Sequence, residues 1–241
     1  MEAEKSQTGE KAAIGKIAAA ERALGLVQNG MVVGLGTGST AEIFVRKLAE
    51  RVSSEKIDVR CIPTSQKTAA LARALGLKLI EIEEYTEIDL TVDGADEVSP
   101  KLDLIKGMGG ALLWEKIVAK MSRKECIVVD SSKLVKVLGE KTPVPIEVVP
   151  YGWKKTKQIL ETKFGCRAEL RRKCGEIYST DSENYILDCK FERIEEPEAI
   201  EREIKSMTGV IESGLFCGIA TLVIVGDENG KIREIETSRT T

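Results

Sequence analysis

Met31-Val-Val-Gly-Leu35 runs straight into Gly36-Thr-Gly-Ser-Thr40 and on into AEIFVRKLAERV (41–52). A short β-branched apolar run reads as a buried strand, the glycines as a tight turn, and the periodic stretch after them as an amphipathic helix. The same unit recurs outward along the chain. DVRCI (58–62) is a strand, and TSQKTAALARALG (64–76) is a helix closed by a glycine cap. KLIEI (78–82) and DLTVD (89–93) are strands, then a Gly-rich loop leads into the helix ALLWEKIVAKM (111–121) and the strand CIVVD (126–130). Apolar strands separated by helices of this length imply βαβ crossovers, hence a Rossmann-like, mostly parallel α/β sheet with helices on both faces.

Beyond Pro143 the rhythm changes. The order is strand PIEVVP (145–150), helix WKKTKQILETKFG (153–165), strand AELRR (168–172), a turn at Asp181–Asn184, strand YILDCKF (185–191), helix PEAIEREIKSMTG (197–209) and strand VIESGLF (210–216). This β-α-β-β-α-β order predicts a smaller α+β domain of ferredoxin-like type. The tail ATLVIVGDENGKIREIE (220–236) is two strands around a turn at Asp227–Gly230 that can rejoin the first sheet. The expected division is therefore residues 1–141 with 214–241 for the Rossmann-like domain and 142–213 for the insertion.

Composition excludes several functions. The 241 residues are 42% hydrophobic and 31% charged with net charge −3, which suits a globular protein and gives no basic field for nucleic acid. No apolar run is long enough to span a bilayer, and no targeting peptide is visible. The chain has no histidine, so histidine triads, histidine zinc sites and histidine bases are all removed. Acid–base chemistry falls to Asp, Glu, Lys, Cys or Tyr. Six cysteines without a C-x-x-C pair read as reduced thiols of a cytoplasmic protein.

Three loops follow strands and carry polar groups. Gly34-Leu-Gly-Thr-Gly-Ser-Thr40 opens a helix, where free N–H groups, the helix dipole and hydroxyls suit a phosphate. It is not a Walker A loop, because no G-K-[ST] follows at the required spacing, and it misses the dinucleotide fingerprint because Ser39 stands where the third glycine belongs. A fourth polar stretch, Thr64-Ser65-Gln66-Lys67-Thr68, adds hydroxyls to the same crevice or simply caps its helix. Asp93-Gly-Ala-Asp96-Glu97 ends a strand, and its paired carboxylates suit a polyhydroxyl substrate, a Mg²⁺ ion, or an Asx turn with solvated charges. In Lys106-Gly-Met-Gly-Gly110-Ala-Leu-Leu-Trp-Glu115-Lys116, a glutamate among apolar neighbours would have its pKa raised toward that of a base for C–H abstraction, with Lys106 near a developing oxyanion. The bland alternative is an amphipathic helix with surface charges. All these loops follow successive strands, on one sheet edge.

GLGTGST (34–40), TVDGADE (91–97), IKGMGGALLWEKIVA (105–119), VVDSSKLVKVLG (128–139), PVPIEVVP (143–150) and GLF (214–216) resemble, in order, ribose-5-phosphate isomerase of the A type. The resemblance implies an aldose–ketose isomerase interconverting ribose 5-phosphate and ribulose 5-phosphate through a cis-enediol, in the pentose phosphate pathway, without cofactor or metal. Carried over by motif, Glu115 is the base, Asp93 with Asp96 handles ring and chain oxygens, and Lys106 stabilises the enediolate. Thr37, Gly38, Ser39 and Thr40 line the substrate loop with Gly109 and Gly110, and Lys16 and Lys133 match lysines at the phosphate end. Implied partners are the sugar phosphate and further copies of the chain, as homodimer or homotetramer, with no nucleic acid and no membrane. Met108 sits in a loop that is often richer in glycine, and Trp114 stands where an arginine is common, so that arginine's role does not transfer. Competing readings are weaker: a hexosamine-phosphate enzyme would lean on a histidine, a sugar-phosphate sensor would need a DNA-binding helix pair before the first strand, and a dehydrogenase needs the broken fingerprint.

Overall fold

The structure, a computed structural model, describes residues 2–237, with side chains from residue 11 onward. It divides into two compact units: Met1–Gly94 with Ile117–Lys133 and Ile219–Thr241, and Ala95–Lys116 with Leu134–Gly218. The second unit thus takes in Ala95–Lys116, residues 134–141 and residues 214–218 in addition to the expected 142–213.

The first unit holds a six-stranded sheet in the order Ile232–Glu236, Leu222–Gly226, Glu125–Asp130, Leu90–Asp93, Val32–Leu35, Arg60–Pro63. Every neighbouring pair is parallel except the edge pair Leu222–Gly226 and Ile232–Glu236, so the tail does rejoin this sheet. Alternation along each strand decides which face each residue meets. Val33, Leu35, Leu90, Val92, Cys126 and Val128 pack with Phe44, Val45 and Leu48 of the helix Ser39–Glu55 and with Ala19, Ala20 and Ala23 of the helix Glu2–Leu24. Val32 and Ile62 instead share a cluster with Ile88 and Val118, the latter on the helix Leu112–Lys120. Helices therefore cover both faces.

In the first unit two elements depart from the sequence reading. The helix Glu2–Leu24 has no counterpart in the sequence reading, because its buried stripe is alanine; in the fold its Gly15 lies backbone to backbone against Gly226, where either Cβ would collide. KLIEI is not a strand: Leu79 makes a single bridge to Cys61 beside the sheet edge, and Ile82–Glu84 turns as a 3₁₀ helix.

The second unit has a four-stranded antiparallel sheet in the order Val210–Ser213, Val144–Val148, Tyr185–Lys190, Arg167–Leu170. With the helices Trp153–Phe164 and Pro197–Lys205 between strands, this is the β-α-β-β-α-β topology the sequence predicts. Ile146, Val148, Leu160, Leu187 and Ile204 form its core. VIESGLF is split at Gly214: Leu215–Phe216 leaves for a three-stranded sheet with Leu104–Ile105 and Glu97–Val98. The buried Glu97 carboxylate accepts N–H bonds from Gly139 (2.7 Å), Lys141 (2.6 Å) and Thr142 (2.6 Å), binding that segment to the same unit. Arg172–Lys173 and Glu176–Ile177 pair as a hairpin through Cys174 and Gly175, both at positive φ.

Candidate functional site

In the first unit the parallel strands end on one edge, and the loops leaving that edge carry its polar groups. Gly36 lies so close to the strand Leu90–Asp93 that a Cβ would sit inside the Asp93 carboxylate. That proximity lets Asp93 Oδ1 accept from Thr37 N (3.0 Å) and Gly94 N (2.7 Å), so the buried carboxylate has a fixed orientation. Gly38, at φ 128, precedes the helix Ser39–Glu55. Ser39 is exposed in the first turn, Thr40 is buried beside it, and Lys16 Nζ donates to Ser39 Oγ at 3.1 Å. Lys133 follows the strand Glu125–Asp130 at the same edge, in a 3₁₀ turn. Lys16, Gly38, Ser39, Thr40 and Lys133 thus bring cationic side chains, a hydroxyl and a helix N-terminus to one edge, which is what a phosphate dianion requires.

Thr37 is placed differently from its neighbours. Its hydroxyl lies 2.8 Å from Thr64 Oγ1, 2.8 Å from Ser65 Oγ and 3.1 Å from Thr68 Oγ1. Thr64 and Thr68 in turn donate to Leu35 O and Gly36 O, and Ser65 caps its own helix through Thr68 N. The Thr64–Thr68 loop therefore braces the glycine turn.

In the second unit Glu115 stands in the first turns of the helix Leu112–Lys120, and Lys106 directly after the strand Leu104–Ile105. Both are 2% exposed, and Lys106 Nζ is 3.4 Å from Glu115 Oε2. A water-excluded carboxylate beside an ammonium can take a proton from carbon while the cation meets the negative charge that develops. Asp96 Oδ2 accepts from Met108 N at 3.0 Å, so this carboxylate ties down the glycine loop. Gly109 lies in that loop; Gly110, at φ 84, has the hydroxyl end of Tyr178 where a Cβ would be. Trp114 Nε1 donates to Ser182 Oγ at 2.9 Å. Among the described residues, no three His, Cys, Asp or Glu side chains converge as a metal site would need.

Sequence reasoning missed the groups that hold this arrangement. Lys116 Nζ, 2% exposed, donates to Glu201 Oε1 (2.7 Å), Glu212 Oε1 (2.9 Å), Ser213 O (2.7 Å) and Leu215 O (2.7 Å), and lies 4.7 Å from the Phe216 ring centre. Lys106 Nζ lies 5.4 Å from the same ring. The only sequence signal was that charged Lys116 sits in an apolar run.

Glu147 is a buried carboxylate outside the candidate machinery. Oε1 accepts from Thr180 Oγ1 (2.8 Å) and Asn184 Nδ2 (3.0 Å), whereas buried Oε2 has no partner among the described residues. Burial pushes its carboxyl up, against the pull of those two donors. A carboxyl raised in the folded state contributes stability below its unfolded value that is lost as pH rises. Glu147→Gln should therefore melt at or above the wild-type temperature at pH 8, with the advantage vanishing toward pH 4, as thermal melts across that range will show.

The comparisons with known proteins define the class first: the relatives matching this chain over most of its length are isomerases, and so is this protein. The family profile described as ribose 5-phosphate isomerase A (phosphoriboisomerase A) matches residues 60–230. Ribose-5-phosphate isomerase A of Gloeobacter violaceus is 51% identical over 218 residues, 89% of this chain and 93% of the relative. The chain belongs to the ribose 5-phosphate isomerase A family. Among solved structures, ribose 5-phosphate isomerase from Plasmodium falciparum is 37% identical with a TM-score of 0.90, covering 94% of this chain and 99% of that one. A D-ribose-5-phosphate isomerase in complex with phospho-erythronic acid is 41% identical with a TM-score of 0.89, covering 92% and 97%.

Proposed function

We propose that this chain interconverts D-ribose 5-phosphate and D-ribulose 5-phosphate through a cis-enediol, with Glu115 as general base, as a step of the pentose phosphate pathway. The observation that carries the reading is the buried Glu115–Lys106 pair at 3.4 Å. Glu115 takes the proton from C2 of the open-chain aldose; the electron pair moves to form C1=C2, and the aldehyde oxygen becomes the enediolate oxygen that Lys106 faces. Proton transfer from the C2 hydroxyl to O1 and return of the Glu115 proton to C1 give the ketose. One carbon is oxidised as its neighbour is reduced, so the reaction balances without a nicotinamide or any other redox partner. Asp93, fixed by two backbone N–H groups, serves the hydroxyl proton during ring opening, with Asp96 holding the glycine loop. Lys16, Gly38, Ser39, Thr40 and Lys133 take the phosphate, and Gly109 and Gly110 border the carbon chain. The relative's complex with a phosphorylated sugar acid supports this, since a carboxylate has the planarity and charge of an enediolate.

The reading includes a cytoplasmic homo-oligomer, dimer or tetramer. Free cysteines, of which Cys61, Cys126, Cys166 and Cys189 are buried and Cys174 exposed, support a reducing compartment. The test is purified protein with ribose 5-phosphate and excess EDTA, followed by NMR. Ribulose 5-phosphate should accumulate to equilibrium. Binding of the sugar phosphate without turnover would overturn the assignment in favour of a sensor.

A further inference from the structure

Lys106 directly precedes, and Glu115 stands in the helix Leu112–Lys120 that follows, a glycine loop with an intrinsically loose backbone. Gly107 has φ 104 and Gly110 φ 84. Their 3.4 Å separation therefore depends on whatever fixes that loop. Two groups do so. From one side Asp96 accepts the Met108 N–H. From the other, Arg171 Nη1 donates to Gly107 O (2.8 Å) and Met108 O (3.2 Å). The same guanidinium is anchored in a fork on Asp188, Nε donating to Oδ2 at 2.9 Å and Nη2 to Oδ1. Its side chain is 11% exposed and that of Asp188 20%, so these charge-assisted bonds are largely shielded from water. The guanidinium carbon lies 6.0 Å from the centre of the Tyr178 ring, whose hydroxyl end fills the space beside Gly110.

We infer that Arg171 is a positioning residue for the isomerisation: anchored on Asp188, its guanidinium holds the Gly107–Gly110 loop so that Lys106 and Glu115 meet the substrate at reacting distance. The inference rests on the isomerase reading. Arg171 contacts loop carbonyls, so it acts through the pair. Lysine cannot replace it, because a single ammonium has no planar fork to engage a carboxylate and two carbonyls at once.

The test compares Arg171→Lys, Arg171→Ala and Asp188→Asn in the full chain by steady-state kinetics with ribose 5-phosphate, by thermal melts, and with millimolar guanidinium chloride added. Misplacement of about 1 Å costs roughly 10²-fold in rate, so both Arg171 variants should lose kcat on that order with KM changed far less. Free guanidinium should restore part of the Arg171→Ala turnover. It should leave Asp188→Asn, whose guanidinium is still present, at its own smaller loss. Wild-type kcat in Arg171→Lys, or a loss in Arg171→Ala that follows its melting and ignores guanidinium, overturns the inference alone. Wild-type protein that forms no ketose overturns the isomerase reading and the inference together.

Discussion

Glu115→Gln should lower kcat for ribose 5-phosphate by roughly 10²–10⁴-fold, the range expected when a positioned base is removed. Glutamine keeps the volume and length of the side chain but cannot accept a proton from carbon. Because Lys106 and Glu115 are both 2% exposed, losing one charge also leaves the ammonium without its carboxylate, so the variant should melt below wild type. Glu115→Asp separates the two effects. It keeps the charge and withdraws the carboxylate by one methylene, so its melt should stay near wild type while kcat falls to an intermediate value. Glu115→Gln turning over within tenfold of wild type at a temperature where it is folded would move the base elsewhere.

The second large effect is on stability. Lys116→Met removes the ammonium that Glu201, Glu212, Ser213 O and Leu215 O share. Breaking a buried pair by deleting one partner costs about 3–5 kcal/mol, which for a chain of this size lowers the melting temperature by roughly 10 °C. The pH dependence gives the sign. Burial alone would push the Glu212 carboxyl up, but the Lys116 and Lys205 ammoniums and the Ser213 N–H hold it below its ordinary value. In wild type this interaction contributes stability above the ordinary carboxylate range and loses it as pH falls through the lowered value. In Lys116→Met burial has less to oppose it, and the carboxyl takes up a proton more readily. The deficit should therefore be largest at neutral pH and shrink below roughly pH 5. Melts of both proteins between pH 4 and 8 check this, and a deficit that does not change with pH would refute it.

The fold was legible where hydrophobic period and glycine caps agree. The strands around Val33, Val92 and Val128 are mostly apolar and buried along their whole length because helices cover both faces of their sheet. The ferredoxin-like topology was legible because each of its helices is bracketed by strands, with Gly165 and Pro197 marking ends. The helix Glu2–Leu24 was not, since alanines at 19, 20 and 23 give little contrast against charged neighbours. VIESGLF reads as one strand because nothing in its sequence shows that Gly214 changes sheets. A Cβ there would strike Lys106 O, a contact visible only after folding. In the candidate site, Glu115 and Lys106 are singled out by the motifs of the resemblance, since a lone Glu-Lys in a helix otherwise reads as surface charge. Their supports are not. Glu201 on the helix Pro197–Lys205, Glu212 on the strand Val210–Ser213 and Arg171 just after the strand Arg167–Leu170 lie far along the chain, so no local spacing announces them.

The hairpin turn at Cys174 and Gly175 has a practical corollary. The Cys61 thiol is pushed up to about 12 by burial, and Cys126, Cys189 and Cys217 are raised as well, so none of these offers appreciable thiolate at neutral pH. Cys166 is buried in the core of its unit, whereas Cys174 projects from a two-residue turn. The native chain therefore carries its own reporter position: a maleimide dye or spin label should attach at one surface point, leaving both cores unmodified and every residue assigned to chemistry untouched.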